Sequence, residues 1–262
     1  LGLSLSAVRT MGVIKSNVFF LAMGLVPAKT SRWAVEIIKF VTKNSLIVTI
    51  SKSEKAHLEA VLKRRIEYVP FGVDVGFWNY QEPVVSDSNY ILAIGNDKSR
   101  DWTTLVDSWL PHFPRLKIIT KQKITHNALN IEVVHGSWQA SKISDTEIRS
   151  LYAQALFVIV PVINTMQPAG QSCCLQAMSC GKAVIMSDID GFWDRSAFIH
   201  NENIILIPPQ SRKHLIAAVE SMIKSPARRH EIGLKSRDTV LRSFNTVTMA
   251  LRMSELMEKF YE

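Results

Sequence analysis

QPAGQSCCLQAMSCGKAVIMS, residues 167–187, is the stretch whose reading decides the fold. It lies between two apolar runs, LFVIVPV (156–162) and AVIM (183–186), which lack polar alternation and so read as buried parallel strands. The unit is therefore strand, loop, helix, strand. Gly170 and the small or amide residues Ala169, Gln171 and Ser172 make the loop, and SCCLQAMSC reads as a short helix that Gly181 ends as a C′ residue. A helix opening there aims free N–H groups and its positive dipole end at the carboxyl edge of the sheet, where an anion can bind. The expected anion is a phosphate.

Outward from this point the chain alternates. YILAIG, LKIIT, IEVVHG, LFVIVPV, AVIMS and NIILIP read as strands, and DWTTLVDSWL, SDTEIRSLYAQA, the motif helix and RKHLIAAVESMI as helices. Alternation at this spacing predicts an α/β fold with a doubly wound parallel sheet. Before it, LIVTIS leads into the helix SEKAHLEAVLKRR, with Ser51 or Ser53 as N-cap, and residues 1–45 read as helix and loop. SRWAVEIIKFVTK places Trp33, Ile37, Phe40 and Val41 near one helical face. Pro70, Gly72, Gly76 and Pro83 give residues 70–88 the composition of a hinge, which sets a domain boundary near residue 80. The end of the chain reads as two helices broken at Asn245, the second carrying Met249, Met253, Leu256, Met257 and Phe260 at helical spacing.

The chain has 262 residues and a net charge of +8. Residues 1–65 hold eleven Lys/Arg against three Asp/Glu, so the basic excess sits at the N-terminal end. Such a patch suits an anionic substrate, an anionic lipid surface or nothing beyond water. Nucleic acid is disfavoured, because the cations are not interleaved with aromatics in a recognisable module. The three cysteines, Cys173, Cys174 and Cys180, all fall in the central motif and indicate a reducing compartment, with packing as their role; no histidine stands at a zinc-like spacing from them. VFFLAMGLV is too short to span a bilayer, and nothing has the layout of a signal peptide. The expected setting is cytoplasmic, with peripheral contact to a membrane surface as an option. Dehydrogenase, P-loop and nucleophile-elbow patterns are lacking.

QAMSCGKAVIMSDIDG (176–191) resembles EAMACGKPVI-S followed by a glycine in family 4 glycosyltransferases, retaining enzymes of GT-B fold that use nucleotide sugars. Further matches follow in order. TISKSEKAHL (49–58) is similar to TVSKSEKEHL, PFGVDVGFW (70–78) to the interdomain segment, and ILAIGNDKSRDWTTLVDSW (91–109) to the first C-domain strand and helix. LYAQALFVIVPV (151–162) resembles the LY..A...V.PS run, and ENIILIPPQSRKHLIAAVESMI (202–223) resembles ENG.LVPP.D...LA.AI..L.

The resemblance implies a GT-B fold with a nucleotide-sugar-binding, Rossmann-like C-terminal domain at 81–243. Residues 1–80 would be the remnant of an acceptor-binding, Rossmann-like N-terminal domain and hinge, with on the order of a hundred residues before them lacking. Residues 244–262 would form a helix packing back on that domain, or locally on the C-terminal one. No cofactor is implied: a UDP- or GDP-sugar is the donor substrate, a glycan or lipid-linked molecule the acceptor, and no metal is required. A catalytically silent nucleotide-binding scaffold and a basic interaction module are the rival functions.

The resemblance also assigns roles. Leaving diphosphate in this family is neutralised by cations and a helix N-terminus. The family pattern GRL...KG falls on Asn96 and Asp101, so Lys98 and Arg100 are the catalytic candidates from neighbouring positions. The donor-binding candidates are Asn96, Thr120, Lys121, Gln167, Ala169, Gly170, Gln171, Ser172 and Gln176. The paired glutamates E-x7-E fall on Pro168 and Gln176; Gln176 can still hydrogen-bond a ribose diol, while Gln167 or Gln171 reaches the donor sugar in place of Pro168. Glu202 and Asn203 match EN before a strand and serve loop geometry.

Overall fold

The buried apolar runs become the strands of two parallel sheets in the computed structural model of the chain, which describes residues 1–27, 29–81, 89–135 and 143–261. The first part runs α1 (Gly2–Thr10), β1 (Val18–Ala22), α2 (Arg32–Thr42), β2 (Ser45–Thr49), α3 (Lys52–Leu62) and β3 (Glu67–Tyr68). Its three strands lie in the order β1-β2-β3, with Val18 opposite Ser45 and Val48 opposite Glu67. This corrects the helix-and-loop expectation for residues 1–45. β1 has no alternation to betray it, and only its five-residue pairing with β2 shows where its backbone groups are satisfied. Of the two N-cap candidates for α3, Ser51 is the cap: its side chain accepts from Glu54 N.

The second part runs β4 (Tyr90–Ile94), α4 (Trp102–Asp107), β5 (Arg115–Thr120), β6 (Ile131–His135), α5 (Asp145–Gln154), β7 (Val158–Val160), α6 (Gln171–Ser179), β8 (Val184–Ser187), β9 (Ile205–Ile207), α7 (Arg212–Lys224), α8 (Pro226–Ser243) and α9 (Thr246–Tyr261). Its six strands are all parallel, in the order β6-β5-β4-β7-β8-β9. Two apolar layers cover the sheet. One joins Ile148 and Tyr152 of α5 to Cys173, Cys174 and Leu175 of α6 and Val240 of α8. The other joins Trp102 and Leu105 of α4 to Leu215, Val219 and Met222 of α7. The cysteines are free and buried, so they pack, and burial pushes the Cys180 thiol up to about 12. Lys182 of the Gly-Lys pair donates to Ala153 O and Ala155 O at 2.6 and 3.0 Å, closing the end of α5; burial lowers its pKa to about 8.

Strand order reverses between β4 and β7. The loops that leave these two neighbours diverge to opposite faces and open a crevice at the carboxyl edge. The start of α3 meets the second sheet beside this crevice. Lys52 N donates to Trp193 O at 2.8 Å, Ser53 Oγ to Phe192 O at 2.7 Å and Ser51 Oγ to Gly191 O at 3.2 Å. An ion pair of 2.8 Å between Lys52 and the buried Asp194 completes the contact.

The expected hinge lies partly outside the described residues, since 82–88 with Pro83 are among those left out. Its first part is firmly held: Val73 N donates to Phe244 O, and Thr246 N donates to Val73 O. α9 then runs along the first sheet, where Leu256 and Phe260 share a groove with Leu46 and Tyr68, and Met249 Sδ accepts from Gly72 N at 3.3 Å. A Cβ on Gly72 would stand 2.7 Å from Thr246 N and closer still to the Asn245 carbonyl. Gly72→Ala is therefore expected to cost about 1–3 kcal/mol through overpacking, read as a lower midpoint in urea unfolding. An unchanged midpoint would mean that this seam does not hold α9.

Candidate functional site

The loops after β4 and β7 bring the central candidates together. Gly95 follows β4, and the turn of 97–99 returns the chain so that Arg100 forms a bridge to Val162, at the end of the β7 run. The Arg100 side chain is thereby folded inward and is 2% exposed. Its Nε lies 2.8 Å from Asp97 Oδ2 without an aligned hydrogen bond, Nη2 lies 3.4 Å from Cys173 Sγ, and Nη1 has no partner.

The guanidinium occupies space that two glycines leave. A Cβ on Gly95 would overlap it, and a Cβ on Gly170 would stand 3.0 Å from Nη1 and 2.6 Å from Val160 Cγ1. Gly170 is also the N-cap of α6 with φ +79°, a conformation that a side chain disfavours. The first-turn N–H groups of α6 have no intrahelical acceptor. An unpartnered guanidinium nitrogen and a positive helix end thus converge at the switch point. Asp97 offsets part of the guanidinium charge, and Nη1 with the free N–H groups of α6 leaves donors that an anion could accept from.

The remaining candidates divide. Lys98 is exposed on the turn, without a partner among the described contacts. Asn96 Oδ1 accepts from Lys121 N at 2.6 Å and from Thr120 Oγ1 at 3.5 Å, and Thr120 Oγ1 in turn accepts from Gln122 N. These side chains tie the ends of β4 and β5 into one ledge, from which Lys121 projects exposed. Ser172 is exposed on the first turn of α6, and Ala169 N donates to Gln167 O in the loop before it. Gln171 is buried, donating from Nε2 to Ile50 O at 3.3 Å, and only its Oε1 remains unpartnered. Gln176 is half-buried with an unpartnered Oε1.

Across the crevice stand residues that the sequence did not single out. The Gln167 amide lies against Gly24, beyond the end of β1. The N–H groups of Gly24 and Leu25 both donate to Oε1 of Glu54, which is 2% exposed and whose Oε2 has no partner. Ser-x-x-Glu at 51–54 has the form of a capping box, which would turn Glu54 back on its own helix. The fold sends it to the Gly24 turn instead. Burial raises its pKa above 4.5, against the lowering by those two N–H groups and His57.

A groove of about 820 Å3 lies elsewhere, between α9 and β3. Its Lys52, Arg65 and Arg252 are paired with Asp194, Glu67 and Glu255, and Arg242 and Lys259 also line it. Among the described residues no cluster of His, Cys, Asp and Glu could hold a metal ion.

Residues 121–239 match the family model described as glycosyl transferases group 1. No curated protein sequence matches the chain. Among solved structures, sucrose-phosphate synthase of Thermosynechococcus elongatus has a TM-score of 0.73 at 21% identity, over 94% of this chain and 67% of that one. HepE of Anabaena in complex with UDP has a TM-score of 0.78 at 13% identity, over 98% of this chain and 77% of that one. The complex of HepE with UDP-glucose gives 0.78 at 14% identity, over 98% and 76%. These likenesses define the fold as GT-B, and the match of 121–239 supports a group 1 glycosyltransferase.

If a diphosphate lies at this junction, Arg100→Ala loses one charge-assisted hydrogen bond, about 1.5–3 kcal/mol, or about ten- to a hundredfold in nucleotide affinity. Gly170→Val is expected to do comparable harm by strain and obstruction, and Gln176→Ala to cost about 1 kcal/mol. Calorimetric titration of UDP and GDP into each variant tests that order; equal affinities across the set would place the phosphates elsewhere. Glu54 makes a separate prediction. Its native carboxyl holds a proton more tightly than the unfolded one, so stability falls as pH rises from near 4.5 through the raised value. In Glu54→Gln the urea midpoint is expected to lose that fall; a pH profile identical to the wild type would show that Glu54 does not titrate as its burial requires.

Proposed function

We propose that the chain is a retaining glycosyltransferase of family 4 that moves a hexose from a UDP- or GDP-sugar to a glycan or lipid-linked acceptor without a metal ion. The observation that carries this is the unpartnered Arg100 Nη1 beside the N-terminus of α6 at the switch point. Loss of the nucleoside diphosphate builds negative charge on the phosphates. A fixed guanidinium and oriented N–H groups in a partly dry crevice oppose that charge without reorganising. Lys98, exposed on its turn and without a partner among the described residues, is the second cation within this proposal, and Lys121 with the Asn96–Thr120 ledge borders the base.

The division at 81 is part of the same reading: 1–80 supplies the acceptor side, 81–243 the donor side, and 244–262 the helix along the acceptor side. HepE, seen with UDP and UDP-glucose, supports a uridine nucleotide as the first donor to try. Gln176 would take the ribose hydroxyls, and Gln167, facing Gly24, the transferred sugar. Work at the cytoplasmic face of a membrane, with peripheral contact through the basic N-terminal part, fits the acceptor class; among the described residues no helix is long and apolar enough to cross a membrane.

Pro168 favours a second reading. It stands where the family has its first glutamate and provides neither charge nor N–H, as a silent nucleotide-binding scaffold would allow. Calorimetry with UDP and GDP, followed by release of nucleotide from UDP-glucose, separates the two. Binding with turnover is expected. Binding without turnover on any glycan or lipid-linked acceptor favours the scaffold, and no binding even at about millimolar nucleotide (an affinity of about −4 kcal/mol) overturns both.

A further inference from the structure

α2 buries only part of its apolar surface. Val35 and Ile38 pack on the core of the first sheet. Trp33, Ile37 and Phe40, spaced i, i+4 and i+7, form a second stripe that remains 70%, 51% and 60% exposed. Three large apolar side chains in one exposed row on an eleven-residue helix are unusual on a soluble surface. The flank of this stripe is cationic. Arg32, Lys39 and Lys43 lie on the adjoining arc, and Lys43 Nζ sits 4.7 Å over the Phe40 ring. Of residues 1–43 only Glu36 is acidic, against six Lys/Arg, and it is paired with Lys39 at 2.6 Å.

The topology keeps this face open. Parallel strands in the order β1-β2-β3 with right-handed crossovers place α2 and α3 on one side of the sheet. α1 closes the layer on the other flank of α2, where Thr10 Oγ1 donates to Val41 O at 2.8 Å. α1 ends next to that face with Met11 and Val13 also exposed, 67% and 72%.

We infer that the outer face of α2 docks the protein on an anionic lipid surface, with Trp33, Ile37 and Phe40 entering the headgroup layer and Arg32, Lys39 and Lys43 meeting lipid phosphates. An apolar stripe bearing Trp and Phe, bordered by cations, matches the two free-energy terms of interfacial binding: burial of apolar area and attraction to anionic headgroups. A protein partner would need a matching acidic, apolar patch; charge complementarity by itself is enough for a membrane. The docking role names the surface behind the lipid-linked acceptor proposed above and rests on that reading for its purpose.

The test is co-sedimentation of the full-length protein with vesicles of phosphatidylcholine alone and of phosphatidylcholine mixed with phosphatidylglycerol, with UDP affinity measured in parallel. Binding to the mixed vesicles only, weakened by added salt, is expected. Trp33→Ser with Phe40→Ser is expected to weaken it by about tenfold or more, as is Lys39→Glu with Lys43→Glu. Leu251→Ser, an exposed residue of α9, is expected to leave it unchanged, and all variants to keep wild-type UDP affinity. Binding to neither vesicle, equal binding to both, or a dimer that Trp33→Ser dissociates would overturn the inference. Loss of UDP affinity in the wild type would instead strike the proposed function and leave the docking result standing.

Discussion

A buried positive charge is the constraint on which the centre of this molecule depends. Arg100 is folded under the carboxyl end of β4, and both residues that press on it, Gly95 and Gly170, lack the Cβ that would expel it. Asp97 and Cys173 accompany the guanidinium, yet one nitrogen stays unpartnered. A buried donor in that state costs free energy, and the positive end of α6 beside it adds to the cost. An anion bound there would relieve both at once. The same atoms that would make the empty site unfavourable would make the occupied one tight.

The second constraint is that this site has two walls from separate sheets. The switch point of the six-stranded sheet provides one wall, and the ends of β1 and β2 provide the other. They are held in contact through the N-terminus of α3, whose Ser51, Lys52 and Ser53 bond to the carbonyls of Gly191, Phe192 and Trp193. Gln171 continues the contact by donating to Ile50 O. Glu54 fixes the Gly24 turn against which Gln167 lies. Residues far apart in the chain thus set the width of one crevice, and changes in this contact would move one wall without touching the side that carries Arg100.

Much of the architecture of the six-stranded sheet was legible in the residues. The unbroken apolar runs 156–162 and 183–186, on either side of a glycine-bearing loop and a short helix, read as strands covered on both faces, and they are. That β1 exists was not legible. VFFLA is apolar, short and without period, and nothing in it tells a buried strand from a buried helix. Nor could the amphipathic pattern of α2 say which part of its apolar arc faces the core. Trp33, Ile37 and Phe40 share a face in the sequence, and the fold turns that face outward, because α1 and α3 flank the helix and the sheet takes Val35 and Ile38.

What the sequence determined by itself is local and periodic: strand and helix order, the glycine at a helix opening, the cation that follows β4, the hinge composition near residue 80. These follow from burial and backbone sterics over a few residues, which any reading of the chain can apply. What only the tertiary structure decided is pairwise and long-range. Arg100 became a buried group because Gly170, seventy residues later, makes room for it. Glu54 left its helix cap because the Gly24 turn offered two N–H groups, and Lys182 became a cap for the end of α5. Each outcome depends on which partner the folded chain brings within hydrogen-bonding distance, and sequence separation carries no information about that.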